Sequence, residues 1–105
     1  MYNILLCCSA GMSTSLLVTK MKKYAESIGV EATIWAISVN DIESTLKQYA
    51  VDVVLLGPQA RYKLNSTKAI CADYNIGCDV INMADYGVMN GEKVFKHALT
   101  LINKD

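Results

Sequence analysis

Short apolar runs alternate along the chain with segments in which apolar residues recur every three or four positions. Two runs, at 2–7 and 51–56, are almost continuously apolar, as expected of strands that are buried on both faces of a sheet. Two others, at 30–37 and 78–82, mix apolar and polar residues, which is typical of less buried strands. The pattern predicts four strands.

A helix is predicted after each strand, because each intervening segment carries one apolar stripe. The stripes are, in chain order, Leu17, Met21, Tyr24 and Ile28; Ile42, Leu46 and Tyr49; Ala60, Leu64, Thr67, Cys71 and Tyr74; and Val94, Ala98, Leu101 and Ile102. Gly29 is predicted to end the first helix, and Asn40 and Asn90 are predicted to cap the second and the last. A loop is predicted at 85–87.

Alternating strands and helices predict an α/β fold, with an open four-stranded parallel sheet and helices on both faces. The two continuously apolar strands belong in the interior of the sheet, so the predicted strand order is 2-1-3-4. In this order the chain reverses direction across the sheet between strands 1 and 3, where open α/β sheets bind ligands. The loops at 8–14 and 57–59 meet there. The length of 105 residues predicts a single domain over 1–105.

Charge and composition exclude several classes of function. Ten Lys and Arg residues balance ten Asp and Glu residues, so the chain has no basic field for nucleic acid or an anionic membrane. Apolar residues make up 52% of the chain, which is too many for a disordered protein. The apolar runs are too short for membrane insertion, and the first residues lack the basic segment of a secretory signal. We therefore expect a cytoplasmic protein with reduced thiols.

The segment from Cys8 to Ser15 leaves a buried strand and enters a helix, which makes it a candidate anion site. The first amides of a helix have no partner within the helix, and the helix dipole favours negative charge there. Gly11 and its small neighbours leave room for a phosphate, and the hydroxyls at 13–15 can donate to it. A cysteine beside a helix N-terminus is favoured as a thiolate. Cys8 is therefore the candidate nucleophile, and a phosphocysteine is the intermediate that this loop suggests.

The other cysteines are interpreted as core residues, because free cysteine is among the most buried residue types. Cys7 continues the apolar run and points to the opposite face from Cys8 if the strand persists. Cys71 lies on a helix stripe, and Cys78 begins a strand. The spacing of the four cysteines matches no zinc motif.

Cysteine phosphatases provide the main alternative, because the spacing Cys8-x5-Thr14-Ser15 is close to their pattern Cys-x5-Arg-Ser/Thr. Low-molecular-weight tyrosine phosphatases carry that loop at the same point of a fold similar to the one predicted here. Their arginine clamps the phosphate, and Thr14 cannot supply its charge. An arsenate-reductase-like enzyme, with Cys71 and Cys78 as a disulfide relay, is weakened by the same missing arginine. A regulatory module that binds phosphate without transferring it is a third interpretation.

Residues 8–17, Cys-Ser-Ala-Gly-Met-Ser-Thr-Ser-Leu-Leu, resemble the signature loop of the IIB components of the sugar phosphotransferase system. The most similar branch is the lactose/cellobiose/chitobiose family. Residues 52–59, Asp-Val-Val-Leu-Leu-Gly-Pro-Gln, resemble the third strand of that family and the turn after it. Tyr86-Gly87, ahead of the last helix, is a weaker match.

The resemblance implies a phosphoryl carrier. In this family a IIA protein phosphorylated on histidine passes its phosphoryl group to the cysteine that directly precedes Ser-Ala-Gly-Met-Ser, which is Cys8 here. The group then goes to a sugar, here of the cellobiose, chitobiose or lactose class, held by a membrane IIC permease. No metal or cofactor is implied. The phosphate-binding loop comprises Ser9, Ala10, Gly11, Met12, Ser13, Thr14 and Ser15.

Several further residues are candidates for the surroundings of the site. Gln59, Tyr62 and Tyr86 follow the third and fourth strands and could border it, although helix packing or loop structure explains them equally well. Met12, at the loop tip, is predicted to be exposed and to contact partners, the alternative being that it fills a gap in the core. His97 lies on the polar side of the last helix and is predicted to be a solvated surface residue. The lysines at 20, 22 and 23 are predicted to form a solvated face.

Overall fold

The computed structural model describes residues 2–8 and 12–102, except for the side chains of Met12 and Ser13. Within these ranges one sheet contains four parallel strands: β1 (Tyr2–Cys8), β2 (Ala32–Ser38), β3 (Val53–Leu56) and β4 (Gly77–Val80). Their order is β2-β1-β3-β4. The predicted α/β fold and the predicted strand order are both confirmed.

The described part of the chain also contains five α-helices: α1 (Met12–Ser27), α2 (Ile42–Gln48), α3 (Leu64–Ala72), α4 (Met83–Gly87) and α5 (Gly91–Ile102). Segments of 3₁₀ helix at Val39–Asp41 and Pro58–Lys63 lead into α2 and α3. None of these described helices has the length and apolar character needed to cross a membrane.

The helices cover both faces of the sheet. On one face, α1 and α5 pack over Ile4 and Leu6 of β1. On the other face, α2 and α3 pack over Leu5 and Cys7. The division follows from the two-residue period of a strand, which sends successive side chains to opposite faces. β1 is buried on both sides in this way, as its continuous apolar run predicts.

The predicted helix stripes are wrong at three helix ends. Ile28, Tyr49 and Tyr74 are 46%, 58% and 39% exposed. Each lies beyond the last residue of its helix, so the helical period no longer directs its side chain to the core. Tyr49 instead packs edge to face against Trp35, with ring centroids 6.2 Å apart.

Two of the three predicted helix boundaries at Gly and Asn are confirmed. Gly29 follows the end of α1 with a φ of +72°, and Asn90 Oδ1 accepts a hydrogen bond from the Lys93 amide at the start of α5. Asn40 does not cap α2. It lies inside the preceding 3₁₀ turn, and its own amide donates to Ser38 Oγ at 3.2 Å.

The region after β4 and the surface of α5 also differ from the predictions. Residues 85–87 are not a loop but the end of α4, whose first amides donate to Asn82 Oδ1. His97 is not fully solvated, because its Nε2 lies 3.0 Å from Asp79 Oδ2 and its side chain is 29% exposed. The lysines at 20, 22 and 23 are exposed, as predicted.

Candidate functional site

The carboxyl ends of β1 and β3 meet where the sequence predicts a site. Cys7 pairs with Leu56, and the Gly57 amide donates to the Cys7 carbonyl at 2.8 Å. Beyond this point the chain leaves β1 for α1 on one face of the sheet and leaves β3 for α3 on the other. Cys8, the last residue of β1, therefore stands at the topological switch point of the sheet.

Cys8 and Thr14 join the two ends of the loop between β1 and α1. Cys8 Sγ lies 3.2 Å from Thr14 Oγ1, and the two residues are 3% and 0% exposed. Thr14 belongs to the first turn of α1, so this contact holds the thiol against the helix N-terminus. The first turn of a helix presents amide donors, and its dipole favours an anion there. The geometry suits a sulfur nucleophile and the phosphoryl group that it would carry.

Cys7 has a different environment, although it is adjacent in sequence. Its side chain is fully buried in the apolar cluster beneath α2 and α3. Burial, with smaller contributions from Cys71 and Cys8, raises the pKa of the Cys7 thiol far above its ordinary value. A thiol that stays protonated is a poor nucleophile, so the structure disfavours Cys7 for chemistry.

Gly57 contributes to the site in a way that the sequence pattern did not reveal. A Cβ at this position would lie 3.3 Å from Cys8 Cβ and 3.5 Å from Gln59 Oε1. A larger residue would therefore press on the strand end that carries the thiol. The available signal was a glycine directly after an apolar strand, and by itself it indicates only a turn.

The three predicted border residues do not lie together. Gln59 and Tyr86 line one cavity of about 530 Å³ beyond the ends of β3 and β4, which is completed by Pro58, Met83, Gly87 and Met89. Tyr62 is 68% exposed and lines a separate cavity beside Arg61 and Val80. The geometry thus groups Gln59 with Tyr86 and sets Tyr62 apart.

Part of the predicted phosphate-binding loop lies outside the described residues, namely Ser9, Ala10 and Gly11. The side chains of Met12 and Ser13 also lie outside them, so the exposure of Met12 stays a prediction. Ser15 is exposed on the first turn of α1. Within 2–8 and 12–102, no group of three or more His, Cys, Asp or Glu side chains could hold a metal ion.

Comparison with known proteins identifies the family. Residues 3–97 match the family model described as PTS system, Lactose/Cellobiose specific IIB subunit. The PTS system oligo-beta-mannoside-specific EIIB component of Bacillus subtilis (strain 168) is 46% identical over 102 residues, which cover 97% of each chain. The PTS system cellobiose-specific EIIB component of Lactococcus lactis subsp. lactis (strain IL1403) is 43% identical over 103 residues, which cover 95% of each chain.

Solved structures support the same assignment. The cellobiose-specific phosphotransferase IIB component of Borrelia burgdorferi gives a TM-score of 0.78 at 44% identity, over 97% of this chain and 92% of that one. The lactose-specific IIB domain of Streptococcus pneumoniae gives a TM-score of 0.83 at 16% identity, over 95% of this chain and 96% of that one. At this identity the similarity supports the fold alone. The comparisons do not favour the phosphatase or arsenate-reductase alternative. The chain belongs to the lactose/cellobiose-specific IIB subunits of the phosphotransferase system, which are phosphotransferases of sugar uptake.

Proposed function

We propose that Cys8 is the phosphoryl-carrying residue of this IIB subunit. It accepts the group from a phosphohistidine on a IIA protein and passes it to a β-disaccharide bound by a IIC permease. The observation that carries the proposal is the place of the thiol, 3.2 Å from Thr14 Oγ1 and against the first turn of α1. This arrangement places the nucleophile next to the helix amides that would bind the phosphoryl oxygens.

The proposed chemistry consists of two substitutions at phosphorus. In the first, the Cys8 thiolate attacks, an S–P bond forms, the N–P bond breaks, and the donor histidine leaves as neutral imidazole once it is protonated. In the second, a sugar hydroxyl attacks and loses its proton, an O–P bond forms, and the S–P bond breaks to regenerate the thiolate. Such transfers depend on positioning and on stabilisation of charge. We assign that role to the amides of residues 9–15, without a metal or cofactor.

Exposed apolar side chains support docking of both partners at the carboxyl edge of the sheet. Leu16, Met83 and Val88 are 52%, 64% and 73% exposed, on or next to α1 and α4, which both follow strand ends at this edge. Large apolar side chains that face water at one edge are typical of interaction sites. The carrier is proposed to act as a single domain over 1–105 in the cytoplasm, where the IIA protein and the inner face of the permease are accessible, with no nucleic-acid partner.

The names of two relatives support the substrate class. The Bacillus subtilis relative is named for oligo-beta-mannosides and a Lactococcus lactis relative for cellobiose. Both names denote β-linked sugars. We therefore propose a β-disaccharide of the cellobiose, chitobiose or lactose class as the final acceptor for this chain.

Intact-protein mass spectrometry tests the relay. The protein is incubated with phosphoenolpyruvate, the general phosphotransferase proteins and a cellobiose-type IIA, and it should gain the mass of one phosphoryl group. Membranes that contain a matching IIC, together with cellobiose, should then remove that mass and yield phosphorylated sugar. Omission of the IIA is the control. Failure to gain mass with several IIA donors would contradict the proposal and direct attention to aryl-phosphate hydrolysis.

Thr14→Val is expected to slow phosphoryl acceptance by about 10- to 100-fold, since hydrogen bonds to charged groups contribute about 1.5–3 kcal/mol. Valine keeps the shape of the buried side chain and removes the hydroxyl that contacts Cys8 Sγ. Thr14→Ser keeps the hydroxyl and should stay close to the wild-type rate. The rate is measured as mass gain in quenched samples, with thermal unfolding as a check on folding. A valine variant that is labelled at the wild-type rate would show that the hydroxyl plays no part.

A further inference from the structure

Two cysteines that the phosphoryl relay does not use lie in one apolar cluster, on α3 and β4. Cys71 lies on α3 and is 1% exposed, and Cys78 lies on β4 and is 8% exposed. Both belong to the apolar cluster on the face of the sheet opposite to α1. All four cysteines of the chain are in the described ranges, and none of them forms a disulfide.

The turn between α3 and β4 holds these two residues at close range. The Ile76 amide donates to the Cys71 carbonyl at 3.0 Å, and so does the Tyr74 amide. Asn75 has a φ of +57°, the left-handed conformation that reverses a chain after a helix. The first residues of β4 are therefore folded back onto the last turn of α3, which brings Cys78 close to Cys71 within one apolar cluster.

The proximity of the two side chains makes the thiols chemically unequal. The neighbouring Cys78 thiol lowers the pKa of Cys71, against the opposing effect of burial. The neighbouring Cys71 thiol and burial raise the pKa of Cys78. Cys71 is thus the more acidic thiol of the pair.

A cavity gives small molecules a route to Cys78. Its volume is about 250 Å³, and its lining comprises Lys68, Ala72, Ile76, Gly77, Cys78 and Leu101. The Lys68 ammonium lies close enough to act on Cys78, where it opposes the effects of burial and of Cys71. A neutral oxidant of the size of hydrogen peroxide can therefore reach the pair at Cys78.

We propose that Cys71 and Cys78 form an oxidisable dithiol, a modification site at which a peroxide closes a disulfide between α3 and β4. The site is separate from Cys8, and its chemistry does not depend on phosphoryl transfer. Under reducing conditions the pair stays a buried dithiol. Under peroxide it becomes a covalent link that closes the turn at 72–77 and ties α3 to the sheet.

The step balances with peroxide as the oxidant. The thiolate of the pair attacks one peroxide oxygen, the O–O bond breaks, and the released hydroxide takes a proton and leaves as water, which gives a sulfenic acid. The second thiol then attacks the sulfenic sulfur, an S–S bond forms, the S–O bond breaks, and a second water leaves. Two thiols lose two electrons and two protons, and one hydrogen peroxide becomes two waters.

The test uses the full-length Cys8→Ser protein, so that the thiol of the candidate phosphoryl site cannot react. The folded protein is treated with hydrogen peroxide, quenched, denatured and alkylated, and its intact mass is measured. Of the three cysteines that remain from four, we expect one to be alkylated after peroxide and all three without peroxide or after reduction by dithiothreitol. Cleavage after Tyr74 separates the two cysteines, so a disulfide that joins the two resulting peptides identifies the pair.

Cys71→Ala and Cys78→Ala in the same background are the controls, and each should abolish the peroxide-dependent loss of alkylation. The oxidised parent protein should also unfold at a higher temperature than its reduced form, because the link restricts the unfolded chain. Three alkylated cysteines after peroxide, or a disulfide that includes Cys7, would overturn the proposal. The peptide map of the Cys8→Ser protein decides between these outcomes even where an alanine variant does not fold.

Discussion

Cys8→Ser is expected to remain folded and to accept no measurable phosphoryl group. A serine hydroxyl is a far weaker nucleophile than a thiolate at neutral pH, so we expect the rate of mass gain to fall by at least about 10³-fold. Serine is nearly the same size as cysteine and retains a group that can contact Thr14 Oγ1, which lies 3.2 Å from the thiol. The free energy of unfolding should therefore change by only about 1 kcal/mol. A quenched time course and a urea titration measure the two quantities.

Cys7→Ser is the matched control, because it makes the same chemical change one residue earlier and on the other face of β1. The Cys7 side chain is fully buried in an apolar cluster, where a hydroxyl that lacks a partner costs about 1–3 kcal/mol. This variant should lose stability and keep its phosphorylation, the reverse of Cys8→Ser. Phosphorylation that survives in Cys8→Ser and is lost in Cys7→Ser would show that the nucleophile had been assigned to the wrong residue.

The sequence was sufficient to predict the sheet and its topological switch point, where the candidate site lies. A strand buried on both faces needs apolar residues at nearly every position, and the runs at 2–7 and 51–56, with one polar residue each, meet that requirement best. Their central location determines the strand order, and the order determines the switch point at Cys8. Both inferences rest on local pattern and on general rules of chain topology, so they need no knowledge of how side chains pack.

Some contacts could not be predicted from the sequence, because they join residues that are distant in the chain. The distance between His97 and Asp79 depends on where α5 is positioned along the direction of β4. No local sequence pattern determines that position. The close fit of Gly57 against Cys8 depends in the same way on the register of β3 with β1. Helix stripes were wrong only beyond the helix ends, as at Tyr49, because periodicity does not show where a helix stops.

Gly91→Ala is expected to destabilise the protein by about 3 kcal/mol, which corresponds to a fall of about 15 °C in the midpoint of thermal unfolding. Gly91 is the first residue of α5 and lies against α1. A Cβ there would be 2.6 Å from the Lys20 carbonyl carbon and 2.8 Å from both the Lys20 oxygen and the Met21 nitrogen. These are backbone atoms and cannot rotate away. The two helices would have to separate, which would loosen the packing around Met21 and Phe95.

Gly87→Ala is the matched control, since it adds the same methyl group to another helical glycine. A Cβ at Gly87 meets no atom within 4 Å, and alanine is a better helix former than glycine by up to about 1 kcal/mol. We therefore expect Gly87→Ala to be neutral or slightly stabilising, as measured by thermal and urea unfolding. Because the first turn of α1 lies against Cys8, separation of α1 from α5 should also slow phosphoryl acceptance in Gly91→Ala. If both glycine variants unfold at the wild-type midpoint, the contact between α1 and α5 has room for a side chain at Gly91.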